Sequence, residues 1–220
     1  MAKGRVKFKK ERPPEPTEVG APWRLFLAVP MPEPAIELVG EIIEALAEEE
    51  WPVRWVAAKT AHLTLHFLGD TEPERAELLR LALGATVARH SRFTLHTGEL
   101  GVFPSEQQPR VIWLGLRGET RGLTRLHADL GARLTELEFP VEQRPLAPHV
   151  TLGRLREPPT PEVAAAIRRR LSSPALRERV ARGAVSIPVH EVVLVRSFLE
   201  RSGARHEPVA RYPLREASEA

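Results

Sequence analysis

The chain has 220 residues, 42% of them hydrophobic, enough for one sizeable core or two small lobes, and it holds no continuous apolar stretch fit to span a membrane. Its formal charge of +3 is mild but unevenly made: Lys59 is the only lysine beyond residue 10, and arginine, which suits phosphate contacts and base stacking, supplies the rest. Without cysteine there are no disulfides and no thiol chemistry, and the opening Met1-Ala2-Lys3-Gly4-Arg5-Val6-Lys7 is too polar for a signal peptide, so a cytoplasmic protein is expected.

Residues 1–22 carry Lys3, Arg5, Lys7, Lys9, Lys10 and Arg12, then Pro13-Pro14-Glu15-Pro16, and show no hydrophobic periodicity. They read as a basic, flexible extension ahead of one domain at 23–215, with a short tail at 216–220. Trp23 to Val29 has strand character, and Pro30, Pro32 and Pro34 break it and introduce a helix over about 34–49. Val53 to Val56 is a short extended piece, followed by a strand around His62 that Gly69-Asp70-Thr71 is expected to turn. A helix over 73–90 and a strand from Phe93 to Phe103, interrupted by Gly98 and Gly101, complete the first half. The second half reads as a strand from Arg110 to Leu116, a helix over 120–137, a strand from His149 to Arg154 and a helix over 161–171. Ala184 to Phe198 then forms one long strand or two, and Pro208 to Leu214 closes the fold.

Two stretches stand out. Ala61-His62-Leu63-Thr64-Leu65-His66-Phe67-Leu68-Gly69 and Pro148-His149-Val150-Thr151-Leu152-Gly153-Arg154 both alternate polar with aliphatic residues. In a strand, residues i and i+2 share a face, so each His-x-Thr points an imidazole and a hydroxyl to one side. The offset from Arg24 to His62 matches that from Arg110 to His149 to within one residue, which suggests two β-α-β-α-β halves related by a pseudo-twofold. Such halves would bring both polar faces to one cleft. Histidine, with an unperturbed pKa of about 6.5, can act as acid or base near neutrality, each role worth roughly 10²–10⁴-fold. Two of them can flank the phosphorus of a ribose cyclic phosphate, while Thr64 and Thr151 donate to its non-bridging oxygens. Such a site needs no metal and no cofactor. His66 shares the nominal face of His62 and is expected at the cleft rim; His90, His96, His127, His190 and His206 have no motif context and read as surface or structural. A metalloprotease helix, a P-loop, a dinucleotide-binding glycine turn and a Gly-x-Ser-x-Gly elbow are all absent.

The tetrads His62-Leu-Thr-Leu and His149-Val-Thr-Leu resemble the signature of the two-histidine phosphoesterase superfamily. The surrounding text is similar to the RNA 2′,3′-cyclic phosphodiesterases of bacteria and archaea, also called 2′-5′ RNA ligases. Arg24-Leu-Phe-Leu-Ala-Val, Gly101-Val-Phe-Pro, Arg110-Val-Ile-Trp-Leu-Gly-Leu and Ser197…Gly203…Tyr212 carry the rest of the likeness. The resemblance implies an α+β, bilobal fold: two pseudo-twofold-related lobes, each an antiparallel sheet with outer helices, and the active cleft between them. It implies metal-free hydrolysis of RNA or nucleotide 2′,3′-cyclic phosphates to 2′-phosphates; 2′-5′ ligation at the same site and non-catalytic binding of RNA ends are the alternatives, and a monomer is expected. By the same likeness His62 protonates the leaving oxygen, His149 activates water, and Phe67 and Arg154 sandwich the terminal base. Simple alternation places Phe67 and Arg154 on the face opposite their histidines. They reach a base only if the strands bulge, as Gly69 and Gly153 would permit; otherwise Phe67 belongs to the core.

Overall fold

A computed structural model describes residues 21–142, 144–200 and 203–216. The basic extension expected at 1–22 lies outside the described residues except for its last two, and the tail expected at 216–220 except for Glu216.

The first strand, β1 (Trp23–Pro30), is the apolar run read from the sequence, and Leu25 to Val29 are buried in succession, as in a strand covered on both faces. Pro34 falls in the first turn of α1 (Glu33–Ala47), where a missing amide costs nothing; Leu38, Val39, Ile42, Ala45 and Leu46 form its buried stripe. β2 (Val53–Trp55) and one 3-10 turn, Ala58–Thr60, lead into β3 (His62–Thr71). The turn expected at Gly69 does not form. Gly69 instead takes a φ of 70° beside a bulge, and the strand runs on with Arg24 opposite Asp70 and Trp23 opposite Thr71.

The helix expected over 73–90 is two, α2 (Pro73–Ala82) and α3 (Gly84–Val87), broken where Gly84 weakens the run. β4 (Phe93–Phe103), β5 (Val111–Gly118), α4 (Thr120–Glu136), β6 (His149–Leu155) and α5 (Pro161–Leu171) follow the sequence reading closely. Thr160 starts α5: its hydroxyl accepts the Val163 amide at 3.3 Å and Pro161 follows it. α6 (Pro174–Arg182) was not anticipated, because its buried stripe is only Leu176 and Val180. The apolar stretch from 184 to 198 divides at His190 into β7 (Ser186–Val189) and β8 (Glu191–Glu200), and β9 (Gly203–Pro213) closes the chain.

The expected pair of sheets is a single antiparallel one, in the order β7-β4-β5-β6-β3-β1-β8-β9, with β2 added beside β6. β6 meets β3 at Val150, opposite Leu63, and from Gly153 onward pairs with β2 instead, so the two central strands touch and then diverge. The order is nearly palindromic about that junction. β1 and β5 hold equivalent places, as do β8 and β4, as expected of a repeat. Yet the fourth strand of each chain half crosses over: β4 lies against β5, and β8 against β1. The halves of the chain are therefore not the halves of the sheet.

One continuous core joins the helix stripes to one face of this sheet, from Leu25 and Ile42 through Leu63 and Ile112 to Leu130 and Val192. Truncating such a leucine to alanine typically costs about 2–5 kcal/mol. A separate small cluster, Phe26, Ala28, Val193 and Val195, occupies the opposite face of β1 and β8. Among the described residues no helix is long and apolar enough to cross a membrane.

Candidate active site

The two motif strands repeat one burial pattern. His62 and Thr64 are half-buried, Leu63, Leu65, His66 and Leu68 are buried, and Phe67 is exposed; His149 to Leu155 show the same succession. The cause is a bulge at the same place in each. Along β1 the pairing passes from Ala28–Thr64 to Leu27–His66, skipping Leu65; along β5 it passes from Trp113–Thr151 to Ile112–Gly153, skipping Leu152. One extra residue shifts the alternation, so Phe67 and Arg154 return to the face of the histidines. Phe67 is 56% exposed there and is not a core residue.

The same bulge corrects the expectation for His66. It is 4% exposed on the opposite face, its Nε2 lies 2.9 Å from the His127 carbonyl, and its ring stacks on His127 at 4.1 Å. It belongs to the packing of α4 on β3.

Leu63 stands opposite Val150, so the antiparallel register sets His62 across from Thr151 and Thr64 across from His149. Both imidazoles are held alike. His62 Nδ1 lies 2.8 Å from the Thr60 carbonyl oxygen, and His149 Nδ1 2.7 Å from that of Ala147. A carbonyl can only accept, so Nδ1 carries the hydrogen in both rings and Nε2 is the atom offered to a substrate. Among the described residues neither the Thr64 nor the Thr151 hydroxyl has a protein partner, and both remain available as donors.

Burial is the main reason that both histidines titrate below 6.5. For His62 the charges of His149 and Arg154 add to that effect and the Thr60 hydrogen bond opposes it; for His149, Arg154 adds and the Ala147 bond opposes. Arg154 is itself lowered, first by desolvation and then by Arg24. Arg154 therefore lies within electrostatic reach of both imidazoles.

His206, read from the sequence as surface or structural, is at the site. The β8–β9 hairpin places it opposite Ser197, and its ring meets His62 edge-on at 5.2 Å and Phe26 at 5.1 Å. Burial and the neighbouring His62 push its pKa down to about 4. Phe26 stacks on His62 at 4.7 Å. No local motif marks His206; only the sheet order, which lays β8 and β9 beside β1, brings it there.

His149 has other neighbours: Phe103 edge-on at 5.0 Å and Trp113 at 6.3 Å. Trp113 lies flat over Gly101, where a Cβ would fall inside the indole, and against Gly115. Its Nε1 is buried and has no partner among the described residues. His90, His96 and His190 lie elsewhere, His90 beside Asp129 at 3.0 Å and His96 beside Ser186 at 3.2 Å. Among the described residues no group of three or more His, Cys, Asp or Glu side chains converges as a metal site.

The family model described as the 2′-5′ RNA ligase superfamily matches residues 24–197. The chain belongs to that superfamily. It is 34% identical over 205 residues to the RNA 2′,3′-cyclic phosphodiesterase of Thermus thermophilus, covering 87% of this chain and 90% of the relative. To the protein of that name from Geobacillus stearothermophilus it is 33% identical over 190 residues, which is 86% of this chain but 56% of the relative's length. The Escherichia coli protein of that name is 36% identical over 135 residues, 60% of this chain and 72% of the relative. Among solved structures of similar proteins, E. coli LigT complexed with 3′-AMP superposes with a TM-score of 0.64 at 30% identity, covering 88% of this chain and 98% of that one. The T. thermophilus protein TT0787 gives 0.65 at 30% identity over the same shares. The architecture common to the superfamily member LigT and this chain is α+β, with a curled antiparallel half-barrel sheet and helices.

Proposed function

We propose that the chain is an RNA 2′,3′-cyclic phosphodiesterase, hydrolysing terminal cyclic phosphates to 2′-phosphates in the cleft between the two sheet halves. The observation that carries this reading is the matched pair of imidazoles, each held at Nδ1 by a carbonyl two residues upstream, on two strands whose register sets each across from the other motif's threonine. The names of the relatives agree with it, and LigT was crystallised with 3′-AMP and with phosphate.

In this reading the cyclic phosphate sits between the two Nε2 atoms, with one ring neutral and the other charged. His149 takes a proton from water as the water oxygen bonds to phosphorus. The bond from phosphorus to O3′ breaks, and His62 gives its proton to O3′, leaving the phosphate on O2′. Solvent then restores the two protonation states. Thr64 and Thr151 donate to the non-bridging oxygens, where negative charge grows in the transition state. Phe67 and Arg154 hold the terminal base by stacking and cation–π contact. A 5′-hydroxyl in place of water would use the same groups to make a 2′-5′ link, a second reading that the superfamily's description keeps open.

The test is product analysis on an RNA oligomer ending in a 2′,3′-cyclic phosphate, with EDTA present. Wild type should yield only the 2′-phosphate, and His62→Ala and His149→Ala should each lose roughly 10²-fold or more in kcat. Replacing O3′ by sulfur, a better leaving atom, should rescue His62→Ala and not His149→Ala. Tight binding of the oligomer without turnover by wild type would replace the enzyme with an RNA-end binding module; turnover only on adding metal would overturn the two-histidine mechanism.

A further inference from the structure

Beyond the histidines the cleft face carries a group of arginines. Arg154 on β6 stands directly opposite Arg54 on β2, so the two side chains share a face. Arg54 Nη2 donates to the carbonyl oxygen of Glu200 at 3.3 Å. That carbonyl belongs to the end of β8, on the other side of the sheet junction, so Arg54 spans the mouth of the cleft. Arg24 on β1 is two residues beyond Phe26 on the cleft face and is exposed. It pairs with Asp70 at the end of the β1–β3 ladder far from His62, which pairs with Pro30, and its charge acts on Arg154, which in turn acts on both histidines. Positive charge thus steps outward from the imidazoles.

None of the three is ion-paired among the described residues. Asp70 faces Arg24 across the ladder without closing on it, and the Glu200 carboxylate is taken by Arg205 at 2.7 Å. Arg170 and Arg211, by contrast, hold Glu49 and Glu191. Like charges gathered from three strands repel in the free protein, and an anion placed among them relieves the repulsion.

We propose that Arg24 and Arg54, set on either side of the base-holding Arg154, form a second phosphate subsite, which takes the phosphodiester one nucleotide upstream of the cyclic end and selects RNA strands over mononucleotides. The proposal rests on the phosphodiesterase reading above. Guanidinium groups match phosphate oxygens in paired hydrogen bonds, and Arg24, six residues along β1 from the partner of His62, is placed for a phosphate other than the reacting one. An RNA end entering with its cyclic phosphate between the histidines carries its next anionic group one nucleotide away, along this row. The bond from Arg54 to the Glu200 carbonyl fixes that guanidinium in place before substrate arrives.

The experiment compares adenosine 2′,3′-cyclic phosphate with its 5′-phosphorylated form, on wild type, Arg24→Ala and Arg54→Ala. Two charge-assisted hydrogen bonds predict a wild-type preference for the 5′-phosphate of roughly tenfold or more in kcat/KM, seen mainly in KM. Each variant should lose most of that preference while its kinetics on the unphosphorylated nucleotide stay within about twofold. No wild-type preference, or equal losses on both nucleotides, would overturn the subsite. No turnover of either nucleotide by wild type would instead sink the phosphodiesterase reading, and calorimetry with the same two nucleotides then decides the subsite. Tighter binding of the 5′-phosphorylated form, abolished in Arg24→Ala, retains it as an anion site; equal affinities remove it.

Discussion

His62 and His149 carry the chemistry proposed for this chain, and their surroundings set the pH at which they can share it. kcat/KM reports ionisations of the free enzyme, and the pair must hold one proton between its two Nε2 atoms. Burial disfavours the charged ring at both positions, so both protons leave below 6.5. The singly protonated pair is then most abundant on the acid side of that value. A bell-shaped profile with its maximum below about 6.5 is expected in kcat/KM; a maximum above about 7 would show that the cleft does not desolvate the pair. His206→Ala admits water beside His62, weakens the desolvation and should move the bell toward neutrality. An unmoved bell would leave His206 a packing residue, whatever the change in kcat.

Among the elements, the bulges in β3 and β6 decide most. Without them Phe67 and Arg154 would face the helices and His66 the cleft. β4 and β5 add a support for His149 that depends on absent side chains: Trp113 can lie over the sheet only because residue 101 has no Cβ. Gly101→Ala should therefore displace the indole toward His149. The expected cost is about 1–3 kcal/mol of stability together with a several-fold fall in kcat/KM, measured by denaturant melts and initial rates. Lost stability with unchanged kinetics would separate Trp113 from the site.

For the whole molecule, the five histidines His62, His66, His127, His149 and His206 all titrate low in the folded state, with burial the leading cause in each, and His206 reaches about 4. In the unfolded chain they return to about 6.5 and bind more protons than the folded protein at mildly acid pH. Their shifts therefore cost nothing above about 6.5, and stability falls as pH drops from there toward about 4. Thermal unfolding followed by circular dichroism should show Tm declining by several degrees between about pH 7 and 5. A flat Tm would mean that these rings are as readily charged in the fold as out of it.

By itself the sequence determined the strands and helices with strong periodicity, and the two His-x-Thr pairs with their shared orientation. Alternation, proline placement and residue type are local properties, and they survive in any register. It also determined the candidate residues Phe67 and Arg154, though not their face. Only the tertiary structure decided that face, because a bulge is defined against the partner strand and leaves no local mark at Leu65 or Leu152. It alone joined the expected two sheets into one and sent β7 and β8, contiguous in the chain, to opposite sides of the sheet junction. And it alone brought His206 to His62 and Arg24, Arg54 and Arg154 to one cleft, since residues far apart in the chain become neighbours only through strand order.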